Sequence, residues 1–267
     1  MNLKRIFWGV GVCLLTVTAV AMLSGVVTAA ESQSFDSAAS AAAGGWTGAG
    51  NDTWGPYGFS DSNNTGGASG SGEAGGTFER TPTRSYYADT DIGTVNGADG
   101  FSGSGELYVS APFADNDTFV GHMEASTAVG YENNHGGFML RESNTSNFRF
   151  MARVRGDGGG QYTGDQIVTP NGAYNFNYAY DAGTQQLTAT LTHPLTGAVV
   201  STSTTPAMTD QTFTANAFGI GGGFNGAGDA RMTAYIDGVT YSSAIPEPST
   251  LILLALSVVG LVMRRGR

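Results

Sequence analysis

Residues 147–156 read NFRFMARVRG. Phe148, Phe150, Ala152 and Val154 fall on one parity, and Arg149, Met151, Arg153 and Arg155 fall on the other. Side chains of an extended strand alternate between its two faces. This period of two therefore puts one set on a core and the other on solvent or a concave surface. Residues 173–181, AYNFNYAYD, repeat the pattern, with Tyr174, Phe176, Tyr178 and Tyr180 opposite Asn175 and Asn177.

Outward from these two, similar runs recur at short, even spacing, bounded by Gly, Asn, Asp and Pro. They are TFERTPTRSYYAD (77–89), GELYVSAPF (105–113), DTFVGHMEA (117–125), GGFMLRES (136–143), QQLTATLTH (185–193), GAVVSTSTT (197–205), TFTANAFGIGG (212–222) and RMTAYIDGVTYSS (231–243). THPLTGAV (192–199) reads as a hairpin turn between two of them. No segment from Glu31 to Ile245 shows a helical period. Residues 35–76 are dense in Gly, Ser, Asn and Ala, yet carry Trp46, Trp54, Tyr57 and Phe59, so they are expected as long loops folded onto the domain. Short strands in one domain predict an all-β fold, an antiparallel β-sandwich of the jelly-roll kind.

Composition narrows the function. Glycine accounts for 41 of 267 residues, about twice average usage. Aromatics at 10% exclude a disordered chain. Between residues 31 and 245 seven arginines and no lysine face twenty-one acidic residues. Such a surface repels nucleic-acid phosphates and anionic lipid, and attracts divalent cations. Asp89 and Asp91 (DTD), and Asp115 and Asp117 (DND), place oxygen ligands two apart at loop–strand junctions. They are the candidate calcium donors, although Asp also serves ordinary turns. Trp46, Trp54 and Tyr57 are candidates for stacking on a glycan or for filling the core beneath the loops. Arg149, Arg153 and Arg155 are candidates for an anionic polysaccharide or for pairing with neighbouring carboxylates. His122 and Glu124 share a strand face as a possible metal pair; a lone surface His and Glu is the plainer alternative. No nucleophile elbow and no phosphate loop occurs.

The strand series, the opening FDS (35–37), the stretch from NNTGG (63–67) to YYAD (86–89) and the closing AYIDGVTYSS (234–243) resemble concanavalin A-like and laminin-G-like sandwiches. That resemblance implies an exported binding or structural domain. Its hydrolase branch carries Glu-x-Asp-x-x-Glu on one strand, so that acid and nucleophile share a face. Here no Glu is followed by Asp two positions on, and the chain is expected not to be an enzyme. A glycan-binding, lectin-like module is the alternative to a purely structural role, with a polysaccharide-active enzyme a weaker one.

The two ends concern destination. MNLKR, the apolar stretch 6–27 and the small residues TAA (28–30) have the layout of a secretory signal peptide, cut between Ala30 and Glu31. The single cysteine, Cys13, lies inside it, so the exported part holds no disulfide and no Cys-ligated metal. At the other end stands IPEPSTLILLALSVVGLVMRRGR (245–267). As a helix, Leu251–Met263 spans about 20 Å at 1.5 Å per residue. A bilayer core is about 30 Å thick. This is a short transmembrane helix, with arginines that stay cytoplasmic while the domain lies on the exported side. Pro246-Glu247-Pro248, the apolar run and Arg264, Arg265 and Arg267 together resemble the PEP-CTERM sorting signal of Gram-negative bacteria. The resemblance implies an exosortase as partner, a membrane transpeptidase-like enzyme that cuts near the motif after transient inner-membrane insertion. It also implies an extracellular or cell-surface destination in an exopolysaccharide or biofilm matrix. The chain thus divides into a signal peptide (1–30), a sandwich (31–245) and a sorting signal (246–267).

Overall fold

A computed structural model describes residues 29–49, 58–66, 72–79, 85–113, 117–126, 130–209, 212–222 and 231–243. Ala29–Ile245 forms one compact unit. In chain order its elements are β1 (Ala29–Gln33), α1 (Ala38–Ala43), β2 (Trp46–Ala49), β3 (Gly58–Ser60), β4 (Glu73–Glu79), β5 (Ser85–Asp89) and β6 (Val95–Asn96). Then come β7 (Phe101–Phe113), β8 (Asp117–Ser126), β9 (Gly130–Asn144), β10 (Asn147–Arg155), β11 (Gln161–Thr163) and β12 (Ile167–Pro170). The last are β13 (Gly172–Asp181), β14 (Gln186–Thr192), β15 (Val199–Thr204), β16 (Thr214–Ala215), β17 (Ala217–Gly222) and β18 (Arg231–Ser243).

The long strands build two antiparallel sheets. One runs β15-β14-β13-β7-β18-β4-β3, with β1 also paired to β18. The other runs β11-β10-β9-β8-β17-β5-β2, with β12 also paired to β10. A two-stranded ribbon, β16–β6, lies apart from both. The sandwich read from strand alternation is the fold the chain adopts. Tyr174, Phe176, Tyr178 and Tyr180 face inward from β13, and Phe148, Phe150, Ala152 and Val154 face inward from β10. They meet in the middle, where Phe138 packs 5.2 Å from Phe176 and 5.4 Å from Phe150. The opposite parity of β10 is less wet than alternation suggests. Met151 joins Tyr86, Phe119, Met123 and Met139 in a second buried cluster on that face.

Two local readings are corrected. Residues 77–89 do not form one strand: Glu73–Glu79 belongs to the first sheet and Ser85–Asp89 to the second. Pro82, which lacks an N–H for the ladder, sits between them. The run AASAAA forms α1, because alanine is the best helix former and Ser37 and Ser40 cap each other reciprocally, at 3.1 and 3.0 Å. Among the described residues no helix is long and apolar enough to cross a membrane. The expected signal and transmembrane helices lie outside the described residues.

His122 joins the two sheets. Its ring is fully buried on β8. Nε2 lies 2.8 Å from the Ser242 carbonyl of β18, and Nδ1 lies 2.7 Å from the Tyr178 hydroxyl of β13. A carbonyl only accepts, so Nε2 carries the proton and Nδ1 accepts from Tyr178. The possible metal pair with Glu124 does not arise, since both ring nitrogens are spent and Glu124 is exposed. Burial pushes the His122 pKa down to about 4. The unfolded chain, near 6.5, therefore binds the extra proton over that interval. His122 costs no stability above pH 6.5 and an increasing amount as pH falls towards 4. Comparing His122→Gln with the parent in urea unfolding isolates this term. The parent should lose about 2 kcal/mol more than the variant between pH 7 and pH 5.

Candidate functional site

At one end of the sandwich the loops around β6, β10–β11, β13–β14 and β15–β16 enclose a pocket of about 390 Å³. Its floor is aromatic. Tyr180 and Phe213 line it, and both stack on the core ring of Phe101, at 5.1 and 4.6 Å with interplanar angles of 8° and 21°. All three rings are buried, and desolvation pushes the Tyr180 pKa up, so its hydroxyl stays protonated. Gly97 lets the β6 turn close on this floor: a Cβ there would meet Phe213 Cβ at 3.1 Å and Tyr180 Cε1 at 3.4 Å.

The rim is polar, supplied by Asn96, Asp157, Gln185, Thr212 and Thr214. Asp157 is held by the Thr212 and Thr214 hydroxyls and by the Asn134 amide, and its own N–H donates to Thr212 O at 2.9 Å. Gln185 adopts φ 55° with no glycine's freedom, a conformation that non-glycine residues hold only where their surroundings enforce it. Its carbonyl accepts from Met208 N at 2.9 Å, which ties the β15–β16 loop to the β13–β14 turn. One carboxylate and no cationic side chain line the pocket among the described residues. Rings below and amides and hydroxyls above suit an uncharged, hydroxyl-rich ligand.

This site was missed in the sequence because its residues lie in separate strand and turn segments. GDGGG (156–160) looks like a plain turn, and it is one, with Gly159 N bonded to Gly156 O at 2.9 Å. Only the fold brings Asp157 to the aromatic floor.

The sequence candidates land elsewhere. Trp46 is core, the second of its two readings, edge-on to Phe35 at 4.6 Å and packed on Tyr87, Phe218 and Tyr241. Trp54 and Tyr57 lie outside the described residues. Arg149, Arg153 and Arg155 do share a face, but Arg153 is buried with Nη2 2.5 Å from Gln161, and Arg149 bonds Gln166 at 3.3 Å. A carboxylate pairing of the kind expected of that row is seen at a neighbour. Arg141, register partner of Arg149, grips Asp117 with Nε–Oδ1 at 2.5 Å and Nη2–Oδ2 at 2.6 Å.

That bidentate pair removes Asp117 as a calcium donor, and Asp115 lies outside the described residues. Asp89 is buried, with Oδ2 taken by the Tyr241 hydroxyl at 2.6 Å and Oδ1 by Asp91 N at 2.9 Å. Among the described residues no group of three or more acidic, His or Cys side chains is placed to hold a metal ion. The described donors, Asp89, Asp91 and Asp117, do not gather into a calcium site. Ala30 and Glu31 lie within β1. Pro246, Glu247, Pro248, Arg264, Arg265 and Arg267 fall outside the described residues.

Comparison with known proteins bears on both halves of the chain. The model of the PEP-CTERM protein-sorting motif matches residues 244–267, so the chain carries that motif. No curated protein matches the sequence. Among solved structures, a protein of unknown function from Shewanella oneidensis MR-1 aligns with TM-score 0.54 at 11% identity, over 87% of this chain and 95% of that one. This is a likeness of fold. Peanut lectin in complex with a nine-residue peptide aligns with TM-score 0.48 at 12% identity, over 81% of this chain and 97% of its own. The CBM2 module of Lactobacillus casei BL23 phage J-1 evolved Dit aligns with TM-score 0.47 at 14% identity, over 82% and 99%.

Two outcomes check these assignments. Calcium at millimolar concentration should leave the melting temperature unchanged, because binding to the folded state would raise it. Arg141→Ala should cost about 3 kcal/mol in urea unfolding, since it leaves the Asp117 carboxylate buried without its partner.

Proposed function

We propose that this is an exported, non-enzymatic protein of the cell surface or extracellular matrix. Its tail delivers it to an exosortase, and the loop-end pocket lets it adhere to a neutral polysaccharide. The sorting motif over residues 244–267 carries the first part of this reading. A segment of Pro-Glu-Pro, short apolar run and terminal arginines suits temporary lodging in a membrane, with the proline-stiffened motif extended at its surface for a membrane protease. The domain before the tail is acidic and free of lysine, which favours neutral over anionic glycans.

The pocket's chemistry supports the adhesive part. Sugar rings present apolar C–H faces and a hydroxyl rim, which match a mixed lining of Tyr180, Met208 and Phe213 among Asn96, Gln185 and the threonines. The carboxylate of Asp157 is already held by three side chains, so its role in the pocket is to accept hydroxyls from a fixed position rather than to move protons. A matrix role also suits a sandwich that joins its sheets with buried hydrogen bonds and, in its exported part, has no cysteine exposed to oxidation.

The test is binding of the folded domain to a panel of neutral and anionic polysaccharides by affinity electrophoresis. Retardation by one or more neutral glycans is expected, weakened at least tenfold in Asn96→Ala/Gln185→Ala, about 1.4 kcal/mol or more, with no change in melting temperature beyond about 2 °C. Absence of retardation by every polysaccharide would remove the adhesive reading. In the native host, deleting the exosortase should leave the protein in the membrane fraction.

A further inference from the structure

The chain begins and ends its fold at the same place. β1 runs antiparallel to the close of β18, with Ala29 opposite Ser243, Ala30 opposite Ser242 and Glu31 opposite Tyr241. The peptide bond expected to be cut on export, between Ala30 and Glu31, therefore lies inside a paired strand. A peptidase needs its substrate extended and free along its edges, so the cut has to come before β1 docks. The docking partner, Val239–Ser243, is the last part of the sandwich to be synthesised, which leaves that interval open.

What the cut creates is placed by the same register. Residues directly opposite in a ladder project to one face, with Cβ atoms about 5 Å apart. Glu31 thus lies beside the Tyr241 ring, whose hydroxyl donates to buried Asp89 at 2.6 Å. The groups around Asp89 are Tyr241 of β18, Glu31 of β1, Asp91 just beyond β5 and the Trp46 indole of β2, with the Gly45 backbone against its Oδ1. Asp91 N donates to Asp89 Oδ1 at 2.9 Å, Glu31 faces Asp89 by way of its register partner Tyr241, and none of those neighbours is a cation. Burial first, then the charges of Glu31 and Asp91, push the Asp89 pKa up to about 6 against hydrogen bonds that pull it down.

We propose that removal of the signal peptide supplies the missing cation: the α-ammonium born on Glu31 becomes the counter-charge of the Glu31–Asp89 carboxylate cluster and clamps the final strand, three residues ahead of the Pro-Glu-Pro motif. The step is a hydrolysis. Water's oxygen goes to the Ala30 carbonyl carbon, which leaves as a carboxylate, and the Glu31 nitrogen takes up protons to become –NH₃⁺. No electrons are transferred. The proposal rests on cleavage after Ala30 and is independent of the polysaccharide reading, since neither the pocket nor glycan binding enters its test.

The compact unit ending at Ile245 is prepared in two forms, one with a free Glu31 amine and one acetylated there. Asp89 is followed by carboxyl ¹³C NMR across pH 3–9. The free amine should lower the Asp89 pKa by at least one unit relative to the acetylated form. The free-amine form should also melt several degrees higher at pH 7, with the gap closing by pH 10 as the amine, normally near 7.7–8.0, loses its proton. Sign follows from linkage: an Asp with a raised folded pKa contributes stability below pH 4 that is lost as pH rises through 6, and the ammonium restores it at pH 7. Asp89→Asn should abolish the gap. Superimposable Asp89 titrations, a melting gap that survives in Asp89→Asn, or a mature protein whose sequenced amino terminus is not Glu31 would each overturn the proposal.

Discussion

The final strand is the constraint on which the rest of the sandwich depends. β18 lies between β7 on one side and β4 followed by β1 on the other, so it completes the first sheet across its middle. It also reaches the second sheet twice. Ser242 O accepts from His122 Nε2, and the Tyr241 hydroxyl donates to Asp89 while its ring stacks on Phe218 at 4.1 Å. Because this strand is made last and paired on both edges, the two sheets close only when the chain is nearly complete. Long-range pairing of this kind is slow to form. Ladders and cross-sheet hydrogen bonds then hold the strand through Ser243, where the chain leaves for the sorting motif.

Much of this was legible beforehand, and the reasons differ by element. Strand alternation on β10 and β13 assigned the core faces because period two survives wherever one face is buried. It failed to separate β4 from β5, since alternation says nothing about which sheet a strand joins. The short α1 escaped because its signals are an alanine run and a serine cap rather than a 3.6-residue period. Met151 and Arg153 read as outward by parity and are buried all the same, because a sheet face can carry a second cluster that periodicity does not distinguish from solvent.

Site residues were harder to read than strands. Trp46, read either as a platform for sugars or as core, proved to be core, and Asp117, read either as a calcium donor or as an ordinary turn residue, proved to be the anchor of Arg141. In both cases residue type suggested chemistry while the neighbour that satisfies it came from a distant strand. The pocket was invisible for the converse reason: Asn96, Asp157, Tyr180 and Phe213 belong to four separate segments that only the closed sandwich brings together. The tail, by contrast, was readable outright. Its signal is local, with motif, apolar run and arginines in a fixed order, and it depends on no folding.

In the proposed reading these elements are ordered in time: export, amino-terminal cleavage, closure of the sandwich on β18, and then action on a motif that begins three residues past Ser243 in the sequence. The most direct test is the intact mass of the mature protein recovered from its native host. The account predicts a chain that begins at Glu31 and ends between Ser243 and the apolar run that starts at Leu251. A mass that retains Arg267, or one that places the carboxyl terminus within Arg231–Ser243, would contradict it.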